Sequence, residues 1–316
     1  MRLPSSTQKL RSYEVGKFGW AADRAPSSKF SKLLSFLTSE LRNFNIPMVS
    51  SALRAIAISI TGVLALMFFL QSRLVYFPDG QIIATPQDRG LAYEEVSFDA
   101  ADGVQLAAWF VPAEANRGVV LFSHGNGGNI SYNLPFVEIL HRVGLSTFIY
   151  DYRGYGRSKG KPSEEGTYSD VAGAWRYLTE NRKIPAGQIL LYGQSLGGPI
   201  AAKLAREKAP AALVLDSSFT SFVDIAGHHY PFLPVRWLAR FEYNTIEHVR
   251  NVRCPVLVIH SPDDEIAPFS QGVSLYEAAP EPKAFIKLRG GHNDALFLSA
   301  GAYREGIDGF LKRIGR

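Results

Sequence analysis

The segment of this sequence with the most chemistry in it is a serine between two glycines, Gly193-Gln194-Ser195-Leu196-Gly197. As a bare string, G-x-S-x-G means little in a chain with 28 glycines. Its surroundings give it meaning: the apolar run Ile189 to Tyr192 leads in, and the small-residue run Gly198 to Ala205 leads out, which reads as strand, turn and helix. A turn that tight tolerates no bulky side chain beside the serine and lifts the hydroxyl to the C-terminal edge of a sheet. The helix behind it aims its first NH groups and its positive dipole end at an incoming oxyanion. The chemistry implied is nucleophilic attack by Ser195 on a carbonyl carbon.

Serine needs a base to take its proton, and the base needs an acid to orient it. His292, in Arg-Gly-Gly-His-Asn-Asp after the last predicted strand, is the expected base, because flanking glycines let a loop carry an imidazole over the sheet edge. His141 falls on a predicted helix, His228, His229 and His248 in an aromatic insertion, and His260 at the end of a strand. The acid belongs after the strand Val256 to His260, where Asp263, Asp264 and Glu265 stand in sequence. Asp216 is an outside candidate, read as a turn or helix-cap residue. The run from Phe122 to Asn129, rich in glycine, frees backbone NH groups at the end of another strand, so the oxyanion hole is expected from the NH of Asn126 and the NH of Leu196.

The elements that must position these residues alternate in type from about Tyr93 onward, the pattern of a mainly parallel sheet covered by helices. Strands are expected over 93–98, 105–111, 118–123, 146–150, 189–192, 212–215, 256–260 and 284–288. Helices are expected over 130–143, 168–181, 198–208 and 269–279, with a last one ending near Ile314. Residues 219–249 break the alternation and read as a short cap rich in aromatics. So small a lid predicts an open site that prefers short to medium acyl chains. Asp151 and Arg153 are expected to pair with one another and to buttress the oxyanion turn. Cys254, the one cysteine, excludes an intramolecular disulfide and reads as a buried structural thiol.

Ahead of the alternating pattern, Ala55 to Leu70 carries no charge and lies between Arg54 and Arg73. With its flanks, over 51–76, it reaches the roughly 20 residues a spanning helix needs. The stretch is apolar on every face, and no small-x-small cleavage site follows it, so an uncleaved signal-anchor is expected rather than a removed leader. Met48 stands where such an anchor would begin and is a second candidate start. Residues 1–50, with eight Lys and Arg against three acids, read as a basic, disordered tail. The remainder balances, so the net charge of +5 belongs to the tail and no nucleic-acid partner is expected. The charge bias around the span predicts a cytoplasmic N-terminus and a catalytic domain, residues 77–316, in the periplasm or a lumen.

Taken together and in order, Leu-Val-Tyr-Phe-Pro at 74–78 and the motifs at 122–129, 150–160, 193–198, 216–221, 260–268 and 290–294 resemble the short-capped, membrane-anchored α/β-hydrolase-domain proteins, a branch related to serine aminopeptidase-like hydrolases and protein depalmitoylases. The resemblance implies the α/β-hydrolase fold and hydrolysis of carboxylic esters or thioesters without a cofactor or metal. It also implies Asp264 as the acid, the fourth residue after His260 in an H-G-x-x-D loop in which Ser261 replaces the glycine. A serine aminopeptidase would use the same three residues but would need an anionic pocket. A membrane adaptor on an inactive hydrolase fold would need none of them.

Overall fold

Runs such as Val119–Ser123, Ser146–Tyr150 and Val256–His260 have every residue buried, as strands covered on both faces must. In the computed structural model, which describes residues 47–115 and 117–316 and a few positions between 31 and 38, they form the middle of an eight-stranded sheet. The expected disordered tail lies almost wholly outside the described residues. The strands are β1 (Glu94–Asp99), β2 (Gln105–Val111), β3 (Val119–Ser123), β4 (Ser146–Tyr150), β5 (Ile189–Gln194), β6 (Ala212–Asp216), β7 (Val256–His260) and β8 (Lys283–Lys287). Their spatial order is β8-β7-β6-β5-β3-β4-β2-β1. β2 runs antiparallel to both neighbours and the other pairs are parallel, so the sheet is mixed.

Alternate residues of each strand feed two cores. Leu121, Leu191, Leu213 and Val258 point to one face, Phe122, Leu190, Val214 and Ile259 to the other. The helix α1 (Pro47–Val75) precedes the sheet. On the sheet faces lie α2 (Leu134–Arg142), α3 (Glu164–Arg176) and α4 (Gly197–Glu207). The insertion folds as α5 (Phe222–His229), α6 (Val235–Leu238) and α7 (Thr245–Arg250), and the chain ends through α8 (Phe269–Ala278), α9 (Ala295–Leu298) and α10 (Ala300–Arg313). α3 begins four residues before its expected start, because Ser163 caps it by accepting the NH of Gly166 at 3.1 Å.

Within α1, Ser51–Val75 is long and apolar enough to cross a membrane, and only 6% of its most apolar window is buried in the molecule, so it is not a core helix. Its C-terminal end is tied to the sheet edge. The carbonyl of Val75 accepts from the Asn126 side chain, and Phe77-Pro78 pairs in parallel with Gly127-Gly128. The cap is pinned on its other side by Glu164, whose carboxylate accepts the NH groups of Glu242 (2.7 Å) and Tyr243 (2.6 Å).

Candidate active site

The C-terminal ends of β3, β5, β6 and β7 converge on one cavity of about 1140 Å³. Ser195 stands at its floor with φ 49°, in the left-handed region that a residue with a Cβ adopts only when the surroundings hold it there. They do: its NH donates to the carbonyl of Asp216 (2.8 Å), and its own carbonyl accepts from the Ser218 hydroxyl (3.1 Å). The flanking glycines are required by contact rather than by turn type alone. A Cβ on Gly197 would lie 1.9 Å from the Ser123 carbonyl oxygen, and one on Gly193 would lie 2.3 Å from that of Gly197. α4 can therefore start directly against β3 and β5.

His292, on the loop after β8, places Nε2 3.1 Å from Ser195 Oγ. Its Nδ1 lies 2.9 and 3.0 Å from the two oxygens of Asp264. Asp264 in turn accepts the NH groups of Ile266 (3.0 Å) and Ala267 (2.7 Å), and His260 Nε2, 2.8 Å from the Ala267 carbonyl, lies 3.4 Å from it. Burial alone would raise the Asp264 carboxyl. The contacts with His260 and His292 and the NH of Ala267 outweigh it and hold the group well below the usual carboxylate range. Asp263 is exposed, and its NH donates to Ser261 Oγ (3.2 Å), so the serine in the glycine's place closes the loop.

Glu265, weighed in sequence only as an alternative acid, has a different place. It accepts the backbone NH of His292 at 3.0 Å and so fixes the loop that carries the imidazole. Asn126 and Leu196 both line the cavity beside Ser195. The Asn126 side chain is tied down, giving Nδ2 to Val75 and accepting from Tyr155 (2.9 Å). The NH of Gly125 is occupied by the Gln194 side chain (3.2 Å), a role for Gln194 that nothing in the motif string signals.

Two expectations need correction. Arg153 does not pair with Asp151: it is forked between Asp102 (2.8 Å) and Asp170 (2.7 Å), whose two carboxylates satisfy the guanidinium. Asp151 is buried and accepts the NH of Ile130 (2.8 Å), just after the glycine-rich run 122–129, so it supports that turn without the arginine. Asp216 is neither a cap nor a turn residue. It is buried among Tyr192 (2.5 Å), Tyr303 (2.6 Å) and Ser217 (3.1 Å), all donating to its carboxyl, and burial pushes its pKa up to about 7.

This arrangement agrees with what the chain is similar to. Residues 114–242 match the family described as serine aminopeptidase, S33. An α/β-hydrolase-domain-containing protein of Arabidopsis thaliana, WAV2, is 32% identical over 263 residues, covering 75% of this chain and 85% of its own. A Mycobacterium tuberculosis protein is 36% identical over 259 residues, 81% of this chain and 92% of its own. Among solved structures, an esterase from Pyrococcus furiosus superposes with a TM-score of 0.64 at 20% identity, covering 76% of this chain and 97% of the esterase. The chain belongs to the α/β-hydrolase family.

Proposed function

We propose that this chain is a serine hydrolase of carboxylic esters or thioesters, held to a membrane by α1. The observation that carries the reading is the unbroken line of contacts from Ser195 Oγ through both nitrogens of His292 to Asp264. In that line His292 Nε2 takes the serine proton as Oγ attacks the substrate carbonyl carbon, and Asp264 stabilises the imidazolium that results. The proton passes to the departing alcohol or thiol. A water then gives its proton to the same nitrogen, attacks the acyl-serine, and the acid leaves as the serine regains its proton. The NH groups of Asn126 and Leu196 receive the oxyanion, since the neighbouring NH of Gly125 is already engaged.

The peptidase alternative asks for a carboxylate free to meet a substrate ammonium. Among the described residues lining the cavity the one carboxylate is Asp216, which is buried and engaged by two tyrosines. Fluorophosphonate labelling of the full-length protein tests the proposal. Wild type should label and Ser195→Ala should not, with ester turnover lowered roughly 10⁴-fold or more in the variant. Labelling that persists in Ser195→Ala would place the nucleophile elsewhere.

A further inference from the structure

The cavity above Ser195 is not walled by the hydrolase core alone. Met67, Gln71, Leu74 and Val75, from the last turns of α1, line it together with Leu238 and Ala239 of the cap. Met67, Gln71 and Val75 are four residues apart and share one stripe of the helix. Beside them Phe68 is buried, in a helix otherwise largely exposed, with the Arg240 guanidinium 5.5 Å above its ring.

Gln71 fastens the two walls together. Its amide nitrogen donates to the carbonyl of Leu238 (2.6 Å), and its amide oxygen accepts the NH of Arg240 (2.8 Å). At 1.5 Å per residue the cavity follows α1 for about 12 Å, from Val75 back to Met67. That stretch belongs to the segment long and apolar enough to span a bilayer.

The composition of the rim points the same way. The cap tip, residues 228–241, holds two arginines and two histidines and no acid. Tyr230, Phe232 and Trp237 on it, and Phe297 and Leu298 across the mouth, are each more than half exposed. Exposed apolar area of this kind marks a surface that meets a partner or a membrane. Tyr, Trp and Arg beside the end of a spanning helix are what the membrane–water interface selects. The lining also speaks to the head group. Among the described residues lining the cavity there is no Lys, Arg or Glu; the polar groups are amides, hydroxyls, two histidines and the engaged Asp216. A phosphate or free carboxylate would call for a guanidinium or ammonium there.

Resting on the anchored-hydrolase reading above, we infer that the substrate is a bilayer-resident, long-chain acyl ester with an uncharged leaving group, which enters from the lipid over the exposed apolar rim and lays its chain along α1. A thirty-residue lid alone would have left the site open, which is why its length predicted short chains. The anchor supplies the missing wall, and at about 1140 Å³ the space exceeds the ~300–1000 Å³ usual for small-ligand pockets.

The test uses full-length protein in phosphatidylcholine proteoliposomes, with p-nitrophenyl palmitate, p-nitrophenyl acetate, 1-oleoylglycerol and 1-oleoyl-lysophosphatidylglycerol as probes. Met67→Trp narrows the helix-side wall and Phe232→Asp puts a charge on the rim; each should lower the palmitate-to-acetate ratio of kcat/KM tenfold or more. The uncharged glycerol ester should turn over at least tenfold faster than the anionic lysolipid, with a rate that follows its mole fraction in the bilayer. Fluorophosphonate labelling shows which variants keep a folded site. An unchanged ratio in variants that label would overturn the route along α1. Faster turnover of the anionic lysolipid would overturn the uncharged leaving group, and faster turnover of an S-palmitoyl peptide than of 1-oleoylglycerol would assign the site to acylated protein instead. Wild type that neither labels nor cleaves the acetate would bring down the hydrolase reading itself, and this inference with it.

Discussion

His292 with Asp264 and His124 with Asp151 stand at the same sheet edge, built from the same side chains and fitted for opposite tasks. His292 and Asp264 meet at 2.9 Å beside the cavity, with Asp264 held as an anion by the contacts with His260 and His292 and by the NH of Ala267. His124 and Asp151 are fully buried, and their closest approach is 3.8 Å. Burial pushes the Asp151 pKa up to about 7, and it pushes His124 down to about 4 against the opposing hydrogen bond with the Gly125 carbonyl. His124 Nε2 and Asp151 Oδ2 have no hydrogen-bond partner among the described residues. The first pair can pass a proton and bear the charge that results. The second sits where burial opposes charge on both partners, with the Tyr152 ring 4.3 Å from the imidazole and the Tyr152 hydroxyl donating to the His124 carbonyl (2.7 Å). The lesson is that partners and solvent access, not residue types, decide which pair does chemistry.

The largest effect should come from breaking the pair beside the cavity. Asp264→Asn keeps the shape but loses the charge that selects the imidazole tautomer, and turnover should fall roughly 10⁴-fold. Asp263→Asn, on an exposed neighbour, should stay within about threefold of wild type. Steady-state ester hydrolysis of the two variants decides the matter, and the reverse ranking would move the acid by one position. A middling effect is expected at Glu265, which holds the backbone rather than the ring. Glu265→Gln weakens a charged hydrogen bond to the His292 NH and should lower kcat about tenfold with little change in KM. A rise in KM at constant kcat would show that Glu265 meets substrate instead of positioning the imidazole.

How much of this could be read beforehand follows a physical division between local and non-local information. Strands β2, β4 and β7 have the bounds expected of them, because turn residues close both ends of each apolar run. The start of α3 was missed by four residues, though a serine followed by two glutamates at 163–165 is a capping signal that was there to use. Motif and chain order put Ser195, His292 and Asp264 forward, and the structure brings the three side chains within hydrogen-bond reach. The partners of Arg153 were not, since Asp102 and Asp170 lie 51 and 17 residues away and nothing local names them. Gln71 was hidden for another reason: a span is judged by its average hydropathy, and that measure ignores the one amide facing the cap.

The smallest effect on activity, and the sharpest test of the comparison, lies with the buried pair. Asp151 has a folded pKa near 7 against an unfolded value near 3.9, so between those values the folded state binds a proton that the unfolded state has lost. That stabilisation is complete below the unfolded pKa and is lost as pH rises through about 7. His124 has the opposite sign. Its folded value near 4 lies below its unfolded value near 6.5, so its contribution is present above about 6.5 and disappears as pH falls toward 4. Asp151→Asn keeps an oxygen to accept the Ile130 NH and removes the titration, so it should keep ester turnover within about threefold of wild type while flattening the loss of stability between about pH 5 and 7. Asp216, also raised to about 7, has the same sign and remains in the variant, so the slope should shrink without vanishing. Thermal inactivation of wild type and Asp151→Asn in detergent, followed from pH 5 to 8, measures this directly. Parallel curves would mean that Asp151 is charged where it lies, and that the two pairs differ less than their burial and spacing imply.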